Sequence, residues 1–179
     1  MKTTVQAALL AGLGLVCGSA WAQDAATRPN PLDAIPDKLP FDIPYGEPIS
    51  LARAEAAVAA AVAEAEKHGW PLNVAVLDSG ANLIAFERMD GAQLASIAIS
   101  QHKARTAVKF RRPTKAFEEA IQNSDYKYLL TFDDIIASRG GIPLIEDGKL
   151  IGAIGCSGGT GSQDEAACQA GARTINKID

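Results

Sequence analysis

The chain has 179 residues, of which 47% are hydrophobic, 21% charged and 6% aromatic. This share of apolar residues suffices for a packed core and excludes a wholly disordered chain. The formal net charge is −4 and the basic residues are not clustered. Nucleic acid is therefore not an expected partner, because phosphate binding depends on grouped Lys and Arg side chains.

The first 22 residues have the pattern of an export signal. Lys2 supplies a positive start, an apolar stretch follows over 5–16, and a small-x-small cleavage site ends at Ala22. The apolar stretch is too short to span a hydrocarbon core of about 30 Å. A lipid anchor on Cys17 is the alternative, and the bulky residue before that cysteine disfavours it. We therefore expect a periplasmic or secreted mature chain with no transmembrane segment.

A proline-rich arm over 23–48 precedes the domain, which we place at 49–179. Six prolines lie between residues 28 and 48. Proline removes backbone donors and favours extended chain, so the arm is neither a helix nor a central strand. Its apolar residues are too numerous for a solvated linker. We expect it to lie across its own domain, with a clasp on a neighbouring subunit as the alternative.

Periodicity and turn residues predict the order α-β-β-α-α-β-β-α for the domain. The predicted helices cover 51–67, 94–110, 115–122 and 162–177, and the predicted strands cover 72–77, 82–88, 142–146 and 149–157. The segment 128–132 is either a further strand or irregular. Hairpins in place of βαβ units predict a mainly antiparallel sheet with helices packed on it, an α+β sandwich.

The mature chain keeps two cysteines, Cys156 at the end of an apolar strand and Cys168 on the apolar stripe of the last helix. Buried free cysteines behave as small apolar residues, so these settings favour two packed thiols. A disulfide is the alternative that an oxidising compartment permits.

A glycine-rich turn joins the last predicted strand to the last predicted helix. Its residues are Gly158, Gly159, Thr160 and Gly161, with Asp164 close behind. Glycine lets backbone N–H groups approach a ligand closely, and the helix start adds a positive dipole end, which suits a carboxylate or phosphate. A capping box, which Ser162 and Glu165 match, would occupy some of the same N–H groups. The turn is therefore either a capped structural turn or one wall of a pocket.

His102 is the most pointed candidate for chemistry. An imidazole ligates a metal or haem iron, or acts as a general base near neutral pH; a simply packed histidine is the alternative. His68, at the end of a predicted helix, is explained by the helix dipole. The cations that suit a ligand's carboxylates are Lys103, Arg88 and Arg139, with exposed ion pairs as the alternative for each.

Several blocks together resemble the GlcG/HbpS-like family of haem-binding proteins, a domain also found in PduO-type corrinoid adenosyltransferases. The matching stretches are VLDSGANL at 76–83, ERMDGA at 87–92, KARTA at 103–107 with PT at 113–114, SRGGIP at 138–143, and the run from GAIG to DE at 152–165. The resemblance covers 49–178. It implies a profilin-like α-β-α sandwich with a five-stranded antiparallel sheet, and assembly into a homo-oligomer, either dimers or larger.

The resemblance implies that the ligand is haem or a related tetrapyrrole. It implies no fixed motif for the residues that ligate the iron and no particular reaction. It places His102, Lys103, Arg88 and Arg139 around a cleft near the glycine-rich turn, with His102 as the candidate ligand of the iron. The alternative is an enzyme or sensor for a small carboxylate held at the turn 158–162, with Arg139 forking onto the anion and His102 or Asp164 moving protons.

Overall fold

The structure is a computed structural model that describes residues 34–39 and 41–176. The chain divides into two units, 1–35 and 36–179, and the domain lies in the second. The predicted export signal and the start of the arm lie outside the described residues. Among the described helices, none has the length and apolar character needed to cross a membrane.

The helices and strands follow the predicted order. They are α1 (Leu51–His68), β1 (Asn73–Asp78), β2 (Leu83–Arg88), α2 (Ala95–Phe110), α3 (Thr114–Ser124), a 3₁₀ helix (Lys127–Thr131), β3 (Gly141–Glu146), β4 (Lys149–Ser157) and α4 (Gly161–Ala172). Helix α1 ends at Gly69, whose φ of 66° suits the left-handed conformation that glycine adopts freely at a helix C-terminus. Helix α4 ends at Ala172, earlier than the predicted residue 177.

The described strands form one antiparallel sheet in the order β2-β1-β4-β3. The expectation of five strands is therefore wrong for the part of the chain that the structure describes. The segment 128–132 lies mostly within the 3₁₀ helix, where local bonds such as Leu129 N–H to the Tyr126 carbonyl at 3.0 Å satisfy its backbone. The arm contributes only an isolated parallel bridge between Tyr45 and Leu150.

Helices cover both faces of the sheet, which confirms the α+β class. On β1, Val74 and Val76 belong to the core shared with α1 and α4, whereas Ala75 and Leu77 belong to the core shared with α2. This alternation is the two-residue period of a strand buried on both faces. Small residues let the layers approach closely: a Cβ on Gly155 of β4 would collide with the backbone of α2.

The arm residues 41–48 pack on their own domain. Leu150 donates its N–H to the Pro44 carbonyl at 2.8 Å, and Gly46 donates to the Leu150 carbonyl at 2.7 Å. The Tyr45 hydroxyl lies 3.1 Å from the carbonyl oxygens of Val108 and Lys109 at the end of α2. These contacts hold this part of the arm against β4 and α2.

Cys156 and Cys168 form a disulfide between β4 and α4, so the expectation of two packed thiols is wrong. Both side chains are fully buried in the same core, and their Cα atoms are 5.6 Å apart, a separation typical of disulfides. The sequence shows that each cysteine is on an apolar face, and only the packing of α4 on β4 brings the two faces together.

Candidate functional site

The core of the candidate site is a buried ion pair between α2 and the start of α4. Lys103 Nζ lies 2.7 Å from Asp164 Oδ2, and the two side chains are 1% and 4% exposed. Charges are rarely buried unless they are paired, because desolvation costs several kcal/mol or more. Gly140 makes room for the pair, since a Cβ there would lie 3.2 Å from Lys103 Nζ and 2.9 Å from Asp164 Cβ.

Asp164 also holds the glycine-rich turn. Its Oδ1 accepts the Gly159 N–H at 3.0 Å, and the Gly158 N–H also favours its ionised form. Burial raises the pKa of Asp164 above the usual aspartate value, although Lys103 and the two glycine N–H groups act in the opposite direction. The position that suits an anion in this turn is therefore filled by the protein's own carboxylate.

Thr160 caps α4 at the end of the turn. Gln163 donates its N–H to Thr160 Oγ1 at 3.4 Å, and Thr160 donates its N–H to Gln163 Oε1 at 2.8 Å. This reciprocal pair is a capping box. The predicted box of Ser162 and Glu165 is wrong, because α4 begins two residues earlier than the interpretation of Ser162 as the cap requires.

Arg139 lies beside the turn and is already engaged by carboxylates. Its Nε and Nη2 donate to Glu118 Oε1 at 2.8 and 2.7 Å, and its backbone N–H donates to Glu118 Oε2 at 2.8 Å. Its Nη1 lies 3.5 Å from Glu165 Oε2. These bonds lower the pKa of Glu118, and the hydrogen bond from the Arg139 side chain is the main cause. The two-pronged contact that we predicted between the Arg139 guanidinium and a ligand carboxylate is instead made with Glu118 of α3.

His102 lies apart from this cluster. It precedes Lys103 by one residue, which turns the two side chains about 100° from each other around α2. The His102 side chain is half-buried, makes no hydrogen bond within the described part of the chain, and contributes, after Lys109, to lowering the pKa of Asp134. Among the described residues no group of three or more His, Cys, Asp or Glu side chains is arranged to hold a metal ion.

Arg88 is at the end of β2, in an open cleft of about 620 Å³. The cleft lies between α1 and the end of β2 and includes Trp70 and Met89 in its walls. Arg88 Nη2 lies 3.5 Å from the Ala92 carbonyl oxygen, the one hydrogen bond that its side chain makes among the described residues. Arg88 opposes Asn73 in the sheet, and Asn73 opposes Ser157, so Arg88 is two strands away from the glycine-rich turn.

The structure thus brings together part of the predicted set. The members that meet are Lys103, Asp164, Arg139 and the turn residues Gly158, Gly159, Thr160 and Gly161. His102 and Arg88 lie on separate surfaces. Glu118 was missed, because nothing in the sequence of an amphipathic helix distinguishes a carboxylate that pairs with Arg139 from one facing solvent. Gly140 could have been recognised from the sequence, since a glycine at the start of a strand is typical of a place where another segment approaches the backbone closely.

A family comparison fits this architecture. A sequence model of the family described as "Haem degrading protein HbpS-like" matches residues 49–173. The protein GlcG of Escherichia coli strain K12 is 40% identical over 109 residues, which cover 61% of this chain and 81% of GlcG.

Solved structures agree with the family match. The crystal structure of HbpS superposes with a TM-score of 0.69 at 30% identity, covering 80% of this chain and 99% of HbpS. A crystal structure described as a PduOC:heme complex superposes with a TM-score of 0.65 at 28% identity, covering 72% of this chain and 96% of PduOC. The match over 49–173, together with the shared fold, shows that this chain belongs to the HbpS-like family.

Proposed function

We propose that this protein binds haem or a related tetrapyrrole. The observation that carries the proposal is the haem complex of PduOC, whose fold extends over 72% of this chain. The likeness to HbpS supports the same ligand class. Haem would supply a redox-active iron, and the protein would supply the axial ligand, an apolar surface and cations for the propionates.

The residue proposed to hold the iron is His102. Its imidazole has no hydrogen-bond partner among the described residues, so a ring nitrogen is free to coordinate without breaking an existing bond. The other histidine, His68, is engaged: its Nε2 lies 3.4 Å from Glu64 Oε1, and its ring stacks on Trp70 with 4.4 Å between centroids.

Features at the C-terminal part of α2 suit a partly exposed porphyrin. At the end of the helix, about two turns after His102, Phe132 stacks on Phe110 with 6.4 Å between ring centroids, and Leu130, two residues before Phe132, is 67% exposed. Arg105, almost one turn after His102, makes no hydrogen bond or ion pair with any described residue. A guanidinium in that position is suited to a propionate.

We also propose a periplasmic location and a homo-oligomer. The export pattern of residues 1–22 supports the location. The outer edge of β2 has no neighbouring strand among the described residues, and Leu83 at its start is exposed. An unpaired edge with exposed apolar residues is a surface that an identical subunit can cover. Periplasmic fractionation with N-terminal sequencing tests the location, and size-exclusion chromatography with light scattering tests the oligomer.

A haemin titration followed by the Soret band tests the ligand and its position. We expect a saturable Soret shift in the wild-type protein, loss of that shift in His102→Ala, and its retention in the matched control His68→Ala. No shift in the wild-type protein would refute haem binding. If the shift persists in His102→Ala, the protein binds haem but His102 is not the ligand of the iron.

A further inference from the structure

We propose that the cleft at the end of β2 is a second site, which binds an aliphatic diamine or polyamine. The cleft has a volume of about 620 Å³ and opens between the C-terminal half of α1 and the end of β2. It is distinct from the proposed haem position, because neither His102 nor any other residue of α2 lines it. Its ligand class follows from its walls and its charge.

One wall of the cleft is apolar and aromatic. Val62, Trp70, Pro71 and Met89 line it, and the sulfur of Met89 is held in place by the Leu72 N–H at 3.3 Å. Trp70 is half-buried and is stacked on His68, so its ring is fixed before any ligand arrives. An indole wall attracts alkyl chains by apolar contact and ammonium groups by cation–π interaction.

The rim of the cleft carries carboxylates on both sides. Glu66 projects from α1, while Glu87 and Asp90 lie on the strand side. Glu87 opposes Val74 in the sheet, and Val74 belongs to the core shared with α1, so Glu87 faces the same side as Glu66. None of the three carboxylates forms an ion pair with a described residue.

Arg88 does not reverse the charge of the cleft. Among the described residues of the lining it is the only base, against three carboxylates, and its side chain makes one hydrogen bond there, to the Ala92 carbonyl. An anionic ligand such as a propionate would meet a net negative rim. A molecule with two ammonium groups joined by an alkyl chain matches a lining in which apolar side chains lie beside carboxylates from α1 and from the end of β2.

Tryptophan fluorescence reports directly on this cleft. The chain has two tryptophans, and Trp21 lies within the proposed export signal. Trp70 is therefore the only indole of the exported protein, and a Trp21→Phe variant gives the same readout in a chain that keeps residues 1–22. We expect spermidine and putrescine to change the emission of Trp70 saturably below about 1 mM. Butylamine, with a single ammonium group, should bind at least about tenfold more weakly, since it can pair with the carboxylates of one side of the cleft only.

Matched carboxylate variants decide whether the site is specific. A Glu66→Gln, Glu87→Gln double variant should weaken spermidine binding by about tenfold, whereas Glu119→Gln, on the exposed side of α3, should leave it unchanged. Calorimetry in salt-matched buffer measures the same affinities without the fluorescence signal. Absence of saturable binding, equal affinity for butylamine, or equal weakening by Glu119→Gln would each overturn the proposal.

Discussion

Lys103 and Asp164 form a fully enclosed ion pair that joins α2 to the first turn of α4, with 2.7 Å between Nζ and Oδ2. The same carboxylate accepts the Gly159 N–H through its other oxygen. One side chain therefore fixes the position of a helix, a lysine and a glycine-rich turn relative to one another. In this chain Asp164 thus holds the glycine-rich turn from within the protein.

Breaking the pair should strongly destabilise the fold. Asp164→Ala leaves the Lys103 ammonium buried without a partner, so we expect the free energy of unfolding to fall by about 3–5 kcal/mol. Urea unfolding followed by circular dichroism measures the loss. The matched control is Lys127→Ala, which breaks the exposed pair between Lys127 and Asp125 and should leave the urea midpoint unchanged. Similar midpoints for the two variants would contradict a structural role for Asp164.

The ion pair of Glu118 with Arg139 should make stability depend on pH on the acid side. The Arg139 side chain lowers the pKa of Glu118 in the folded state, so the unfolded chain takes up the proton first as the pH falls. This stabilisation is complete above the ordinary glutamate pKa of about 4.3 and is lost as the pH falls through the lowered folded pKa. Asp164 has the opposite effect on the pH dependence of stability. Burial raises its pKa in the folded state, so the folded state takes up the proton first as the pH falls.

The measurement is a set of urea midpoints between pH 7 and pH 3 for the wild-type protein and Glu118→Gln. The variant should be less stable at neutral pH and should lose less stability on acidification, because it lacks the group whose pKa is lowered. Glu55→Gln, on the exposed side of α1, is the control and should follow the wild-type curve. Parallel curves for the wild type and Glu118→Gln would show that the pair of Glu118 with Arg139 does not cause the loss of stability at acid pH.

The order of elements could be predicted because turns and apolar periodicity are local properties. The pairings that define the site are not local. The ion pair of Lys103 joins residues 61 positions apart, and the contact of Arg139 with Glu118 spans 21. The position of His102 illustrates the same limit: its neighbour Lys103 faces the sheet, and only the assembled helix shows that one residue of displacement leaves the imidazole on another surface.

The disulfide between Cys156 and Cys168 should contribute to stability without being part of the proposed ligand sites. It closes a loop with a sequence separation of 12, for which restriction of the unfolded chain gives about 3 kcal/mol. We expect a Cys156→Ala, Cys168→Ala variant to lose stability of this order in urea and to keep the Soret response to haemin. Dithiothreitol should lower the urea midpoint of the wild-type protein and leave the urea midpoint of the variant unchanged. Equal sensitivity of the two proteins to the reductant would contradict the bond.

Gly155 tests whether α2 is as close to the sheet as the structure places it. The residue lies in β4 between Ala75 and Gly141 of the neighbouring strands, and a Cβ there would collide with the Ser100 carbonyl and lie 2.6 Å from the Ala104 nitrogen. Backbone atoms of a helix cannot move aside singly, so Gly155→Ala should push α2 outward and cost about 1–3 kcal/mol.

The matched control for this substitution is Gly159→Ala. The atoms that a Cβ would meet there belong to the side chain of Gln163, and moving them breaks the hydrogen bond from the Thr160 N–H to Gln163 Oε1. The loss of stability should therefore be about 1 kcal/mol, that of one helix cap, and smaller than the loss in Gly155→Ala. Urea unfolding gives both free energies. Because α2 also carries His102, the Soret shift of Gly155→Ala with haemin adds a second measurement: an outward movement of the helix should weaken haem binding, while Gly159→Ala should leave it intact. Equal losses of stability in the two variants would mean that the helix is not held against the sheet at Gly155.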